Sequence, residues 1–280
     1  MQLNPYRGLR VIVLIGLLAV LLAACTPPAS PVPATPAAVE IPTVTVEVTA
    51  DGISVPAEVP SGVVSFVMQN TSGAAGSPEI VRLNDGVTMD QLNEALASGD
   101  DMAALTLVSL QGGPSASVDN KVTYNLTPGN YVAALFPENG PPVMQPFTSG
   151  AASGAVAPSA DVSAQLVDFQ FIIPDEIKAG PQVWQIENNG EQWHEMGILK
   201  FNEGATMDDL MAMLQSEEAS GPPPFEDVAF WSPMGPGQTA WVTWDLPAGE
   251  YTVVCFLPDL NGDGAPHLAH GMTRTLTVTE

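Results

Sequence analysis

The sequence predicts an all-β protein made of two tandem antiparallel β-sandwich domains, each with one short inserted helix. Three observations predict this fold class. The chain repeats itself, since residues 55–92 align without a gap with residues 173–210 at an offset of 118. Short runs of alternating apolar residues, separated by Gly and Pro turns, recur in both copies and are typical of strands. With about 110 residues in each copy, this pattern favours a sandwich over an α/β layout.

The N-terminus predicts export. Arg7 and Arg10 precede an apolar run at residues 11–24, which is too short for an ordinary membrane span and has the layout of a signal peptide. The run ends in Leu-Ala-Ala-Cys25, which resembles the lipobox of bacterial lipoproteins and implies that Cys25 is lipidated. We therefore predict a signal peptide at 1–24 and a mature protein that is lipid-anchored on the extracytoplasmic face of a membrane. The alternative is an uncleaved anchor helix with an incidental cysteine.

Composition sets the remaining boundaries. Residues 25–38 are almost all Pro, Ala, Thr, Ser and Val, a composition that cannot bury a core and predicts an extended tether. The self-comparison places the two folded domains at residues 39–148 and 161–280. Between them, residues 149–160 are Gly, Ala, Ser, Val and Pro, which predicts a linker.

Within each copy the same order of elements is predicted. Strands are indicated by alternating apolar or β-branched residues, as at 63–68, 183–186, 241–244 and 275–279. Thr88 and Thr206 each precede a short helical pattern with an acidic residue in its first turn, so each threonine is a predicted helix N-cap.

The charge of the chain is strongly acidic. Removal of residues 1–24 takes away Arg7 and Arg10, and leaves five basic against 31 acidic side chains, a formal charge of −26. This charge excludes a nucleic-acid partner and electrostatic adsorption to anionic lipid. It is compatible with a basic protein partner, or with simple solvation in a saline or acidic habitat.

The residue types that carry chemistry lie in the second copy. All three histidines, all five tryptophans and Cys255 are there, whereas the first copy has Gly76 in place of His194 and Leu135 in place of Cys255. Lipidation of Cys25 would leave Cys255 without a disulfide partner in an oxidising compartment. Such a cysteine is a buried hydrophobe, a reactive thiol or a metal ligand.

Residues 247–278 resemble the copper-ligand end of the cupredoxins, the blue copper proteins. In that family a strand ends in a Cys ligand, a loop follows, and a His ligand precedes a Met ligand by five residues. Cys255, His267 and Met272 fit this order, and an Asn-Asn-Gly stretch shortly before His194 resembles the segment that supplies the first His ligand. The resemblance implies one type 1 copper, with His194, Cys255 and His267 as equatorial ligands and Met272 as the axial ligand. A soft thiolate with two imidazoles and a weak axial thioether suits a copper that changes oxidation state.

The loop between the Cys and the second His departs from the short-loop members of the family. It has eleven residues, and its part at 259–264 resembles the start of a calcium loop, although position twelve is His270 instead of an acid. We interpret it as a turn-rich excursion. His270 is interpreted as an exposed neighbour of the copper site, and Trp193 as a shield for the metal.

The ligand set predicts a membrane-tethered one-electron carrier that works with a redox partner protein and is not an enzyme. No Ser-His-Asp order, paired-carboxylate motif, phosphate loop or second copper cluster is visible. A multicopper oxidase or nitrite reductase would need more histidines than the three of this chain. The alternatives are a lipoprotein that stores or delivers copper, and a metal-free structural or interaction protein of the cell envelope.

Overall fold

The computed structural model describes residues 39–72, 78–99, 101–115, 117–136, 142–216 and 221–280. The predicted signal peptide, the lipidation site Cys25, the predicted tether and Gly76 lie outside these residues. Within the described part, no helix has the length and apolar character that crossing a membrane requires.

The first copy is a sandwich of two β-layers. Its described strands are β1 (Thr43–Thr49), β2 (Gly52–Ser54), β3 (Glu58–Asn70), β4 (Glu79–Leu83), β5 (Val108–Leu110), β6 (Lys121–Leu126), β7 (Gly129–Leu135) and β8 (Val143–Ala152). Helices α1 (Met89–Ala97) and α2 (Asp101–Leu105) join β4 to β5. The long strand β3 takes part in both layers, because residues 62–67 pair with β6 while residues 58–61 pair with β8. Strand β8 also extends four residues into the predicted linker.

The second copy is built in the same way. Its described elements are β9 (Val162–Val167), β10 (Gln170–Ile172), β11 (Glu176–Lys178), β12 (Gly180–Asn188), β13 (His194–Phe201), α3 (Met207–Gln215), β14 (Phe225–Met234), β15 (Thr239–Leu246), β16 (Gly249–Val254), a 3₁₀ turn (His267–His270) and β17 (Thr273–Thr279). One layer has the order β10-β9-β12-β15 and the other has the order β11-β17-β16-β13-β14.

Strand register shows that the sequence repeat is a repeat of topology. In the parallel pair β1–β3, Val44 lies opposite Phe66, and in the parallel pair β9–β12, Val162 lies opposite Trp184, which is the same pairing displaced by 118 residues. Phe66 and Trp184 are fully buried and fill equivalent core positions. The predicted all-β architecture of two sandwiches is confirmed, but the sheets are not purely antiparallel, since the pairs β1–β3, β3–β8, β9–β12 and β11–β17 are parallel.

Both predicted helix N-caps are present. The Thr88 hydroxyl accepts a hydrogen bond from the Gln91 backbone N–H, and the Gln91 side chain accepts one from the Thr88 N–H. Thr206 and Asp209 make the same reciprocal pair at the start of α3. Each pair satisfies two N–H groups that a helix N-terminus otherwise leaves free. Helix α2 was not among the predicted elements.

The two copies share one continuous sheet. Strand β6 pairs antiparallel with β15, so that Tyr124 lies opposite Ala240. The segment that follows β5 crosses onto β14, where the Gly113 carbonyl accepts hydrogen bonds from the Ser232 backbone N–H at 2.8 Å and from the Ser232 hydroxyl at 3.1 Å. The first copy therefore covers β14, the neighbour of the strand that begins at His194.

Gly112 of the first copy lies close to Trp231 of the second copy. Its φ of +72° is in the left-handed region, and a Cβ added there would overlap the indole of Trp231. Gly99 has a φ of +73° with nothing within 4 Å of an added Cβ, so it is a matched control. Since both alanines suffer the same backbone strain, we expect Gly112→Ala to lower the free energy of unfolding by about 1–3 kcal/mol more than Gly99→Ala, as measured in urea. Equal losses would show that the contact with Trp231 is loose.

Candidate metal centre

The predicted ligands come from three elements that meet at one end of the second sandwich. His194 is the first residue of β13, Cys255 follows the last residue of β16, and His267 begins the 3₁₀ turn. Strands β13 and β16 pair directly, which brings the ends of both strands together. The sulfur of Cys255 and one ring nitrogen of each histidine all lie within 4.8 Å of one another.

The distances between these three groups suit a single metal ion. Nδ1 of His194 is 3.2 Å from Nδ1 of His267, and Sγ of Cys255 is 3.4 Å from the same His267 nitrogen. One ion can reach all three atoms, since bonds to zinc, for comparison, are about 2.0–2.1 Å from imidazole nitrogen and about 2.3 Å from thiolate sulfur. Two imidazoles with a thiolate are also the donor set that copper prefers in trigonal sites. The residues therefore fit the metal that the resemblance implies.

Met272 lies beside this cluster. Its side chain is fully buried in the core that also contains Cys255. Its backbone N–H donates to the His267 carbonyl at 3.0 Å, and its carbonyl accepts from the Cys255 N–H at 3.3 Å. The chain thus fixes Met272 directly against two of the other predicted ligands, which places all four predicted residues in one region.

Backbone hydrogen bonds explain how a loop of eleven residues still brings Cys255 and His267 together. The His267 N–H donates to the Leu257 carbonyl at 2.8 Å, and the Leu268 N–H donates to the Cys255 carbonyl at 2.9 Å. Further out, the Asp259 N–H donates to the Ala265 carbonyl at 2.8 Å. These hydrogen bonds close the base of the loop and hold Cys255 and His267 together despite the eleven residues between them.

Burial sets the protonation of the three groups. It lowers the pKa of His194, an effect that the nearby Asp168 carboxylate partly opposes. It also lowers the pKa of His267, and the neighbouring His194 lowers it further. Burial raises the pKa of the Cys255 thiol to about 12. These shifts favour two neutral imidazoles and a protonated thiol in the metal-free site. A metal that binds the Cys255 thiolate must displace the thiol proton, so metal binding strengthens as the pH rises.

Two acidic residues at the site were missed from the sequence. Glu195 is buried, its carboxylate accepts the Phe256 N–H at 3.0 Å, and burial raises its pKa to about 7. It ties β13 to the residue after Cys255. Asp168, in the turn between β9 and β10, lies with Oδ1 at 2.9 Å from Nε2 of His194. Comparison of the two copies offered a signal for Asp168, because the first copy has Ala50 at that position.

His270 lies outside the His–Cys–His cluster, in agreement with its interpretation as an exposed neighbour. Its Nε2 is 2.9 Å from an Asp263 oxygen and 3.9 Å from an Asp259 oxygen. The Asp259 carbonyl accepts backbone hydrogen bonds from Gly262 and Gly264. These contacts are those of a compact turn, as expected for this part of the loop.

The Phe169 side chain packs against two of the three histidines. The rings of Phe169 and His267 are nearly perpendicular, with centroids 5.2 Å apart, and the centroids of Phe169 and His270 are 4.9 Å apart. His267 is consequently only 1% exposed. Trp193 is half-buried and lines a surface cleft of about 190 Å³ together with Leu257. Its role as a shield for the metal stays a prediction.

No protein family model matches this chain, and no curated protein matches it. Among solved structures, an auracyanin from the photosynthetic bacterium Roseiflexus castenholzii is 22% identical, with 42% of this chain and 95% of that chain covered and a TM-score of 0.30. Auracyanin A from Chloroflexus aurantiacus, described as a blue copper protein, is 21% identical, with 42% and 96% covered and a TM-score of 0.30. A copper nitrite reductase from Nitrosomonas europaea is 10% identical, with 86% and 95% covered and a TM-score of 0.24.

The fold is cupredoxin-like. The strand pairing of both copies and the position of the His–Cys–His cluster at the end of the second sandwich agree with the resemblance found in the sequence. At these identities and TM-scores, the activities of the matched proteins remain properties of those proteins.

One prediction is contradicted by these comparisons. The sequence predicts a protein that is not an enzyme, but the structures that match 85–86% of this chain include multicopper oxidases, a laccase and copper nitrite reductases, which are enzymes. The exclusion of enzymes is therefore wrong. It was argued from the small number of histidines, and that number does not limit a site to which several chains contribute.

Proposed function

We propose that this chain is an extracytoplasmic, membrane-tethered copper protein that transfers single electrons through one type 1 site formed by His194, Cys255, His267 and Met272. The observation that carries the proposal is the convergence of two imidazole nitrogens and one thiol sulfur in the buried interior of the second copy. When bound, copper supplies a one-electron couple there. The first copy cannot supply this set of donors, since neither His nor Cys occurs between residues 26 and 192.

The surroundings of the site support electron transfer. Cys255, His267 and Met272 are linked by the backbone hydrogen bonds described above, which fix the backbone positions from which their side chains extend. Burial of all four residues keeps water away from the site. A site that moves little between oxidation states favours rapid one-electron exchange.

Storage or delivery of copper uses the same donors and is the second candidate. Delivery requires that a partner reach the ligands, yet His194 and Cys255 are fully buried and Phe169 covers His267. This cover favours electron transfer over metal exchange. A redox partner with a basic docking surface would match the acidic charge of the chain.

A reversible redox titration of the copper-loaded protein tests the proposal. Reduction should bleach a visible charge-transfer band, and reoxidation should restore it, with one electron per chain in each direction. A protein that releases its copper on each cycle would contradict electron transfer and support delivery.

Met272→Leu is expected to keep the colour of the oxidised protein and to raise its reduction potential. The axial thioether is a weak ligand that stabilises oxidised copper slightly, and leucine removes the sulfur from a fully buried position of similar volume. Met196→Leu is the control, because Met196 is equally buried in the same core. A loss of copper in Met272→Leu, or an equal shift of potential in both variants, would contradict an axial role.

Membrane tethering is tested at Cys25. In Cys25→Ser the thiol that accepts the lipid is absent, so we expect a form that stays unprocessed or is released from the membrane. The acidic domains provide no electrostatic adhesion of their own. Fractionation of cells should show the shift, and a variant that is both cleaved and membrane-bound like the parent would defeat the prediction.

A further inference from the structure

Asp168 makes several hydrogen bonds around His194. Its Oδ1 accepts the His194 Nε2–H at 2.9 Å and the Gln192 N–H at 3.2 Å, and both of its oxygens accept from the Glu191 N–H, at 3.0 and 3.1 Å. The carboxylate therefore holds both the ring of His194 and the backbone that leads into it. A carboxylate can only accept, so His194 carries its proton on Nε2 and presents an unprotonated Nδ1 toward His267 and Cys255.

The position of Asp168 is occupied by a different residue type in the first copy, which has no predicted metal ligands. The strand register shows that hairpin β1–β2 corresponds to hairpin β9–β10. Glu47 lies opposite Ser54 in the first, and Gln165 lies opposite Ile172 in the second, which is the same pairing displaced by 118 residues. Asp168 then corresponds to Ala50. The copy without His and Cys ligands thus has no carboxylate at this position, and the acid of its turn, Asp51, stands at the position of Phe169.

We propose that Asp168 is a positioning residue that fixes the Nε2–H tautomer of His194 and whose negative charge favours the oxidised over the reduced metal. The proposal rests on the proposed copper site and names a residue that tunes it. A carboxylate bonded to the outer nitrogen of a metal-binding imidazole raises the basicity of the inner nitrogen. More electron density at Nδ1, together with one negative charge nearby, stabilises Cu(II) more than Cu(I).

Asp168→Asn and Asp168→Ala separate charge from position. The asparagine oxygen still accepts from His194 Nε2 and from the two backbone N–H groups, but it carries no charge, whereas alanine removes both. Asp245→Asn is the matched control, because it removes one charge from an exposed position on β15 of the same copy. The measurements are the reduction potential of the copper-loaded protein and the ¹⁵N shifts of the His194 ring in the metal-free protein.

We expect Asp168→Asn to keep the tautomer and the colour but to raise the ratio of Cu(I) to Cu(II) affinity about tenfold, which is about 59 mV for a one-electron couple. Asp245→Asn should leave the potential nearly unchanged, and Asp168→Ala should mix the two tautomers and weaken copper binding. Equal potentials in Asp168→Asn and Asp245→Asn would overturn the role of the charge.

The tautomer measurement keeps this inference separate from the proposed function. An unchanged Nε2–H tautomer in metal-free Asp168→Ala would overturn positioning by Asp168, whatever the protein does with copper. If the parent binds no copper, the proposed function fails and the claim for the charge fails with it, while the ring shifts still decide the claim for the tautomer.

Discussion

Cys255→Ala should abolish the visible absorption of the copper-loaded protein. That band belongs to charge transfer from the thiolate to Cu(II), and Cys255 is the one described cysteine. The variant should also bind copper far more weakly, by more than the 10–100-fold that loss of an outer partner of a metal ligand typically costs. Absorption spectra and a competition titration with a copper chelator measure the two effects.

Cys255→Ser and Met196→Leu are controls for the loss of colour and of copper affinity in Cys255→Ala. Serine retains a small side chain of similar size but supplies a hard oxygen, so it should also lack the band. Met196→Leu alters the same buried core without touching a predicted ligand, and it should keep both the colour and the affinity. A Cys255→Ala protein that remained coloured and bound copper as the parent does would show that the metal lies elsewhere.

The second large effect distinguishes two histidines that are three residues apart. His267→Ala should lose tight copper binding, because Nδ1 of His267 lies 3.2 Å from His194 and 3.4 Å from Cys255. His270→Ala should bind copper nearly as the parent does, because His270 faces Asp263 on the exposed side of the turn. Copper stoichiometry after gel filtration, with one metal per chain in the parent, measures both variants under the same conditions.

The reverse result has a definite meaning. If His270→Ala removes the copper and His267→Ala does not, the assignment of the loop to the cupredoxin ligand order is wrong. If neither variant loses copper and Cys255 does not react with added copper, the proposed metal site in the second copy fails. The chain is then better explained as a structural envelope protein.

Most of the fold was predictable, because the sequence signals for its elements act over a few residues or occur in both copies. Thr88 and Thr206 signalled helix starts through capping chemistry that acts over three residues. The internal repeat alone equates Phe66 with Trp184, and the strand register agrees. The pairing of β6 with β15 was not predictable, because an edge strand offers the same backbone hydrogen bonds to any neighbour and its residues do not name the partner.

The grouping of the candidate ligands was predictable from the sequence, but the acidic residues that contact them were not. The order and spacing of Cys255, His267 and Met272 carried the resemblance, and the structure brings them into one region. Asp168 reaches His194 across 26 residues through the β9–β10 turn, a contact that no local pattern encodes. The same holds for Glu195, since an acid inside a buried strand is recognised as functional only when its backbone partner, Phe256, is known.

The optical titration of the mature protein with Cu(II) tests the central claim most directly. One copper held by a thiolate and two imidazoles predicts an intense visible band that grows linearly and stops at one equivalent of copper per chain. A titration that produces no such band, or a band that continues to grow to two equivalents, would contradict a single type 1 site in the second copy.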